Sequence, residues 1–189
     1  MFGAKTLVTN KPEDLRLCKK AVLPGVGAFD DAMQELEKRK LIPEIRRIAK
    51  ERKPFLGICL GMQLFFEESE EARFQKGLGL LKGKVVRIKQ SGKLKVPHMG
   101  WNQIKVRSQN SKVEGGSPLL AEIKDDSFVY FCHSYYPVPK DKDSVAATCD
   151  YGVVFACAVN KDNIYGVQFH PEKSQGVGLK MLENFVNLC

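Results

Sequence analysis

The string GICLG at residues 57–61 constrains the fold of this 189-residue chain more than any other segment. It ends an apolar run that begins after Pro54 and precedes another apolar stretch, so it stands where a buried strand turns into a helix. Its spacing of glycine, nucleophile and glycine is that of a nucleophile elbow, whose sharp turn leaves room only for small neighbours. We expect the N-terminus of the following helix to favour the thiolate of Cys59. A buried cysteine between two packing glycines is the alternative interpretation.

The first third of the chain alternates between strand and helix patterns. Short strands are predicted at residues 6–9 and 21–23, and the second ends on a Pro/Gly turn. Apolar residues recur at helical spacing from Ala28 onwards, and Pro43 opens a second helix at a position where its missing N–H costs nothing. PFLGIC predicts a buried strand, and LGMQLFF continues from it as a helix. This alternation is typical of an α/β domain.

Strand patterns dominate the rest of the chain. KVVRIK and NQIKVR predict strands on either side of an irregular segment at residues 91–100. FVYFC, SVAATC, VVFACAV and IYGVQF predict four more strands, and helical spacing from Gly178 predicts a last helix. We therefore predict one α/β domain over residues 1–189. Its central sheet is expected to be mixed and mainly parallel, flanked by helices, with antiparallel additions in the second half.

The basic balance of the chain does not by itself indicate a nucleic-acid partner. Thirty basic and 22 acidic residues give a net charge of +8, but much of the positive charge lies at residues 38–53. Ile45 and Ile48 mark a buried stripe there, so the basic side chains are predicted to cover the solvent face of a helix. Basic residues are not interleaved with aromatic ones as in nucleic-acid-binding modules. We expect no nucleic-acid partner.

The apolar and cysteine patterns indicate no membrane segment and no metal site. The apolar runs are shorter than the roughly 18 to 20 residues that a membrane helix needs, and residues 1–15 lack the pattern of a targeting signal. We therefore expect a cytoplasmic protein that does not bind membranes. The six cysteines form no CxxC pair, so neither a zinc site nor a disulfide framework is expected. No cofactor is expected either.

Two polar residues that are candidates for catalysis lie in VQFHPEKS, at the end of an apolar strand. His170 and Glu172 are two residues apart, so both side chains can project to the same side. The imidazole is suited to take the proton of Cys59, while the carboxylate holds the ring through its other nitrogen. A surface strand end with an incidental HPE sequence is the alternative.

A glycine-rich turn, LPGVGAF at residues 23–29, follows the strand that precedes the elbow. Such a turn presents backbone N–H groups to a developing negative oxygen. Val26 and Gly27, together with the Leu60 amide, are the candidate oxyanion hole. A phosphate-binding loop is the competing interpretation, but the GK[ST] ending and the GxGxxG spacing are both absent from this segment.

LPGVGAF, GICLGMQ and VQFHPEKS, in this order, resemble the three motifs of the class I glutamine amidotransferases. The resemblance implies a flavodoxin-like α/β fold and a catalytic triad of Cys59, His170 and Glu172. PGVGAF, PHMGWN, HSYY and HPEKS are further similar to the glutaminase subunits of imidazole glycerol phosphate synthases. That similarity implies L-glutamine as substrate and a (β/α)8-barrel cyclase as heterodimer partner, which receives the ammonia for histidine biosynthesis. A glutaminase of another amidotransferase pathway is the alternative.

The resemblance also implies roles for single residues. It implies that glutamine is bound by Gly25, Gln63, Glu71, Ser134 and Tyr135. It implies that the cyclase-facing group is His98, Met99, Trp101, Tyr130 and Lys173. For Glu71 an ordinary charged helix end is the alternative, and for Trp101 a place in the core. His133 is expected to be a partly buried structural histidine.

The N-terminal segment departs from the family pattern. Members are expected to begin with an apolar strand, a turn and a helix, whereas the sequence from Phe2 looks like the end of that helix. We therefore expect an N-terminally shortened chain whose first strand is missing. In a doubly wound sheet that strand is central, so its loss removes a ladder partner from each neighbour. A catalytically impaired scaffold with the same fold is the second hypothesis that this departure supports.

Overall fold

The computed structural model describes residues 2–90, 92, 94–107 and 116–189. The strands are β1 (Ala21–Gly25), β2 (Phe55–Cys59), β3 (Glu68–Ser69), β4 (Gly83–Arg87), β5 (His98–Val106), β6 (Ser127–His133), β7 (Tyr135–Pro139), β8 (Val145–Asp150), β9 (Val154–Lys161) and β10 (Ile164–Val167). The α-helices are α1 (Pro12–Leu17), α2 (Phe29–Lys38), α3 (Ile42–Lys50), α4 (Leu60–Gln63) and α5 (Gln175–Asn187).

A seven-stranded sheet of order β1-β2-β10-β9-β8-β5-β6 carries the candidate site. β1 pairs with β2 and β2 with β10 in parallel, while the other neighbours are antiparallel. The sheet is mixed as predicted, but the expectation that it is mainly parallel is wrong. The physical reason is connectivity, because β8, β9 and β10 follow one another through short turns, and such turns join antiparallel neighbours. β3, β4 and β7 form a second, smaller sheet.

Helices cover both faces of the large sheet. On one face α2, α3 and α4 pack against Phe55, and Phe29 and Ile48 are fully buried there. On the other face α5 packs Phe185 into the cluster that contains Leu56. Successive residues of β2 thus face opposite layers, and all five of its residues are buried. The elbow at the end of β2 is therefore held from both sides.

The basic region at residues 38–53 behaves as its pattern predicts. α3 carries Pro43 in its first turn and buries Ile45 and Ile48. Charged side chains pair on its outer surface, for example Arg47 with Glu51 at 2.7 Å. The prediction of a solvated basic helix face is confirmed.

The first residues of the chain depart from the prediction. Residues 6–9 form no strand, and Leu7 and Val8 are exposed. In the described part of the chain β2 is the only strand that pairs with β1, so β1 is an outer strand of the sheet. The prediction of a strand at residues 6–9 is wrong, because a short extended segment is stable only when it pairs with a neighbour.

In the middle of the chain the strands of the structure differ from those that the sequence pattern predicts. β5 begins at His98, inside the segment expected to be irregular, because its backbone pairs with β6 from the His98–His133 position onwards. Ser91 and Lys93 of that segment lie outside the described residues. β7 was not predicted, and it pairs with β4 in the smaller sheet. Across the ranges that the structure describes, no helix has the length and apolar character to cross a membrane.

Candidate active site

Cys59 lies at a sharp turn between a strand and a helix. It is the last residue of β2, α4 follows at once, and Cys59 has a positive φ of 54° with a ψ of −110°. A Cβ atom on Gly57 would approach a backbone nitrogen of α4 to 2.7 Å, and one on Gly61 would lie 1.8 Å from the Leu23 carbonyl oxygen. Only glycine fits at these two positions. The predicted elbow, with its need for small neighbours, is confirmed.

Gly61→Ala is expected to destabilise the fold by about 3 kcal/mol, because its methyl group overlaps the Leu23 carbonyl oxygen and forces β1 and α4 apart. Urea unfolding followed by circular dichroism measures the effect. Gly176→Ala is the control, since in the described structure a Cβ there meets nothing within 4 Å. Its free energy of unfolding should stay within about 1 kcal/mol of the parent value. Equal stabilities of the two variants would contradict the close packing at the elbow.

The Cys59 thiol is buried, with 6% of the residue exposed. Burial raises the pKa of the thiol to about 11, and the negative charge of Glu172 adds to the rise. Hydrogen bonds from the Leu60 N–H and the Gln168 side chain lower the pKa without offsetting burial. The Leu60 N–H at the start of α4 thus favours the thiolate, as expected, but burial outweighs it in this chain alone. The helix α4 has only four residues, so its dipole is weak.

Alkylation of Cys59 by iodoacetamide is expected to accelerate about tenfold per pH unit between pH 7 and pH 10. Only the thiolate reacts, and a thiol whose pKa is about 11 loses its proton only as the pH approaches that value. Peptide-resolved mass spectrometry of the folded chain separates Cys59 from the other cysteines. A small thiol of ordinary pKa, about 8.5, should reach its plateau roughly two pH units earlier. A plateau for Cys59 at pH 9 would contradict the effect of burial.

His170 and Glu172 lie at the same edge of the sheet as Cys59. β10 runs parallel to β2 with Val167 in register with Ile58, and the His170 segment follows directly, so both strands end on one side. Nδ1 of the buried His170 ring lies 2.7 Å from Oε1 of Glu172. Glu172 therefore contacts Nδ1 of the ring, and Nε2 is the other ring nitrogen. Ring and carboxylate are thus together as expected, and proton exchange between His170 and Cys59 stays a prediction.

The glycine-rich turn after β1 reaches the elbow. Gly25 is in register with Cys59, and a Cβ atom on Gly25 would lie 3.1 Å from Cβ of Leu60. Gly27 has a φ of 101°, which favours glycine, and Val26 is exposed. Within the described residues the N–H groups of Val26 and Gly27 donate to no backbone carbonyl. They are available to a ligand, and their role as an oxyanion hole with Leu60 stays a prediction.

Gln63, one of the residues predicted to bind glutamine, already has partners for its side-chain amide. Nε2 donates to the Tyr135 carbonyl oxygen and to Oε1 of Gln168, each at 3.0 Å. Both N–H groups are used, so Gln63 can offer a ligand only its carbonyl oxygen. Ser134 and Tyr135 lie where β6 leads into β7, and both are half-buried.

Glu71 lies in a turn after β3, which excludes the charged helix end considered for it. Its Oε2 accepts a hydrogen bond from the Phe29 N–H at 3.1 Å, at the start of α2. Burial raises the pKa of its carboxyl group. Oε1 remains for a ligand ammonium group. Glutamine binding by Gly25, Gln63, Glu71, Ser134 and Tyr135 stays a prediction.

Four of the residues predicted to face the cyclase form one partly exposed surface. Met99 and Trp101 on β5 are 61% and 47% exposed, and Trp101 contacts Tyr130 edge-on, with ring centroids 6.1 Å apart. Nζ of Lys173 lies 5.7 Å from the centroid of the Tyr130 ring. Phe128 on β6, which the sequence analysis missed, extends the surface and is 53% exposed. These five residues are called the Trp101 surface below.

His98, the fifth predicted interface residue, departs from this group. It is 2% exposed, its Nδ1 lies 3.0 Å from Nε2 of His133, and its ring stacks on Tyr151 with centroids 3.8 Å apart. Burial leaves no ring surface for a partner, so the prediction of a direct interface contact is corrected. His133 is structural as predicted, at the end of β6 with Nδ1 2.8 Å from the Tyr135 carbonyl oxygen.

Comparison with known proteins supplies the family. The model of the family described as "Glutamine amidotransferase class-I" matches residues 8–189. The chain belongs to the class I glutamine amidotransferases. Among curated members, "Imidazole glycerol phosphate synthase subunit HisH" of Methanocaldococcus jannaschii is 48% identical over 184 residues, which cover 97% of this chain and 88% of that protein. The subunit of the same name from Bacillus licheniformis is 50% identical over 188 residues, which cover 97% of this chain and 85% of the relative.

Solved structures share the fold of this glutamine amidotransferase. A crystal structure described as that of a glutamine amidotransferase matches with a TM-score of 0.69 at 19% identity, covering 97% of this chain and 88% of the other. The glutaminase domain of Trypanosoma brucei CTPS with bound acivicin matches with a TM-score of 0.61 at 16% identity, covering 93% and 74%. At such identities the similarity concerns the fold alone. The expected amidotransferase fold is confirmed.

Proposed function

We propose that this protein is the glutaminase subunit of an imidazole glycerol phosphate synthase and hydrolyses L-glutamine to glutamate and ammonia. The observation that carries the proposal is the elbow, which holds Cys59 at the end of β2 while the hydrogen-bonded His170 and Glu172 follow the neighbouring parallel strand. The names of the HisH relatives support the assignment to this synthase. Cys59, His170 and Glu172 are the proposed triad.

The proposed reaction proceeds through a thioester. His170 takes the proton of Cys59, and the thiolate attacks the side-chain carbonyl carbon of glutamine. N–H groups of Val26 or Gly27 and of Leu60 stabilise the oxyanion. Collapse of the tetrahedral intermediate breaks the C–N bond, His170 gives its proton to the leaving nitrogen, and ammonia departs. Water, deprotonated by His170, then breaks the C–S bond of the γ-glutamyl thioester and releases glutamate.

A (β/α)8-barrel cyclase is the proposed heterodimer partner, which uses the ammonia to form imidazole glycerol phosphate for histidine biosynthesis. The Trp101 surface supports this part of the proposal, because exposed aromatic and Met side chains are typical of the centre of protein interfaces. Lys173 adds a positive charge for an acidic group of the partner. We place the activity in the cytoplasm. The six free thiols support that location, since reducing compartments keep cysteines unpaired.

The environment of Cys59 supports dependence of the activity on the partner. A thiol with a pKa near 11 is almost wholly protonated at neutral pH. The exposed turn at Val26 has room to change conformation when a partner docks. We therefore propose that the chain alone hydrolyses glutamine slowly and that a docked, liganded cyclase raises the rate by about 10- to 100-fold.

The test is ammonia release from L-glutamine by the full chain, alone and with the cyclase subunit of a related synthase. Trp101→Ala should reduce stimulation by the cyclase, whereas Phe74→Ala, which removes an exposed aromatic ring outside the Trp101 surface, should not. Association is measured separately by light scattering. Binding without ammonia release would identify a scaffold, and full activity without a cyclase would identify a free-standing glutaminase. Absence of both binding and ammonia release would overturn the whole proposal.

A further inference from the structure

Gln168 is fully buried next to the sulfur of Cys59, and the reaction as proposed above assigns it no role. It follows β10, and its backbone N–H donates to the Cys157 carbonyl oxygen at 2.8 Å. Its side-chain Nε2 lies 3.6 Å from Sγ of Cys59, within the range of an N–H···S hydrogen bond. Its Oε1 accepts from Nε2 of Gln63 at 3.0 Å. The amide therefore has one end on the nucleophile and the other on α4.

The orientation of this amide is fixed by its partners. Gln63 uses both N–H groups as donors, one to the Tyr135 carbonyl oxygen and one to Gln168. A carbonyl oxygen accepts only, so Gln63 cannot be turned round without two oxygens facing each other. Turning Gln168 round would likewise place its NH2 group against that of Gln63. Only the N–H side of Gln168 can therefore face Cys59.

Two buried histidines hold the Tyr135 carbonyl oxygen in this network. Nδ1–H of His133 donates to that oxygen at 2.8 Å, so Nε2 of its neutral ring is an acceptor. Nδ1–H of His98 then donates to that nitrogen at 3.0 Å, and Nε2 of His98 accepts from the side-chain NH2 of Asn102 at 3.3 Å. Burial lowers the pKa of His98 to about 4 and of His133 to about 3. Both rings stay neutral at physiological pH, so the direction of each hydrogen bond stays the same.

We propose that Gln168 stabilises the thiolate of Cys59 by donating its Nε2–H to the sulfur, and that Gln63 is the positioning residue that holds the Gln168 amide in this orientation. The inference rests on the proposed function, since it takes Cys59 as the nucleophile. A buried thiolate needs hydrogen-bond donors to form at all, and backbone and side-chain N–H groups supply them. Sγ of Cys59 also lies 3.9 Å from the Cys132 carbonyl oxygen, and the negative charge of Glu172 raises the pKa of the thiol, which makes a neutral donor the suitable neighbour.

The test measures the reactivity of Cys59 without requiring catalysis. The rate of iodoacetamide modification at Cys59 is followed from pH 7 to pH 10 in the full chain. Gln168→Met keeps the length of the side chain and removes the donor, and it should lower the rate about tenfold at every pH, since one charge-assisted hydrogen bond corresponds to about one pH unit. Gln168→Glu should lower it further. Gln34→Met, on the exposed face of α2, is the matched control and should leave the rate unchanged.

Labelling of Cys157 reports whether the substitution has opened the core, because Cys157 is fully buried beside Gln168. An unchanged rate at Cys59 in a Gln168→Met chain that leaves Cys157 unlabelled would overturn the proposal. If Cys157 becomes labelled, Gln63→Leu decides instead, because it frees the Gln168 amide without altering it. A rate about threefold lower then supports the proposal, and an unchanged rate counts against it.

Ammonia release is recorded in parallel to separate the two proposals. A parent chain that never releases ammonia, even with a cyclase, counts against the proposed function, while the titration of Cys59 still tests the hydrogen bond. Normal ammonia release by Gln168→Met with an unchanged titration overturns only the role of Gln168.

Discussion

Cys59→Ser is expected to lower the rate of cyclase-stimulated ammonia release by about 10⁴-fold or more. The substitution keeps the size of the side chain at a position that tolerates little change, since Cys59 is buried at a strained turn with a φ of 54°. A serine hydroxyl is far less acidic than a thiol, and an environment that already raises the pKa of the thiol to about 11 disfavours an alkoxide even more. The chain should therefore fold and bind glutamine but not form the acyl intermediate.

Cys18→Ser is the matched control for this experiment. Sγ of Cys18 donates to the Leu15 carbonyl oxygen at 3.1 Å, a bond that a hydroxyl group can replace. Cys18 lies between α1 and β1, away from the elbow. The rate of ammonia release by the Cys18→Ser variant should stay within about twofold of the parent rate, as expected for a substitution away from the candidate active site. Ammonia release by Cys59→Ser at the rate of Cys18→Ser would exclude Cys59 as the nucleophile, and thereby the proposed triad.

Features that arise from residues close in sequence could be predicted. The elbow is such a feature, because the crowding that demands Gly57 and Gly61 arises where β2 meets its own following helix and the adjacent strand. The buried stripe of Ile45 and Ile48 on α3 is another, because helical periodicity places those side chains on one face whatever they pack against. Glycine spacing and apolar periodicity were therefore enough to predict most of the elements in the first third of the chain.

Strand pairing across long stretches of sequence could not be predicted in the same way. β5 begins at His98 because its backbone pairs with β6, which ends at His133, and nothing in PHMG itself indicates a strand. Residues 6–9 have a strand-like pattern but no neighbouring strand. Whether a short segment becomes a strand depends on its partner more than on its own composition. Because strand pairing depends on the partner strand, the prediction that most neighbouring strands are parallel was also wrong.

Residues that matter through buried polar contacts were also missed. Gln168 reads as one polar residue at the end of the apolar strand IYGVQF, and its two hydrogen bonds reach Cys59 and Gln63 on other elements. The one available signal was that a glutamine inside a run predicted to be buried needs partners for its amide. His98 was assigned to an interface because the family resemblance implied it, whereas alternation along β5 turns its ring inward.

Glu172→Gln is expected to lower the rate of cyclase-stimulated ammonia release by about 100-fold or more, with little change in KM. The carboxylate accepts the hydrogen of His170 Nδ1 at 2.7 Å, which leaves Nε2 unprotonated and able to act as a base. A glutamine amide carries no charge to stabilise the imidazolium. It can also rotate and donate to Nδ1, which places the ring proton on Nε2. Because the Glu172 side chain is 49% exposed, solvent screens its charge and the loss is smaller than for a buried carboxylate.

Glu183→Gln, which alters a carboxylate on α5 paired with Lys180 at 3.5 Å, controls for the loss of one surface charge and should leave the rate unchanged. A comparison of kcat with KM distinguishes ring orientation from substrate binding, because Glu172 is proposed to act through His170 and not on glutamine. A rise in KM at constant kcat would place Glu172 in substrate binding instead. Rates within about threefold of each other for the two variants would mean that the ring is oriented without the carboxylate. His170 would then be held by its burial and by the hydrogen bond from its backbone N–H to Tyr130 at 2.9 Å.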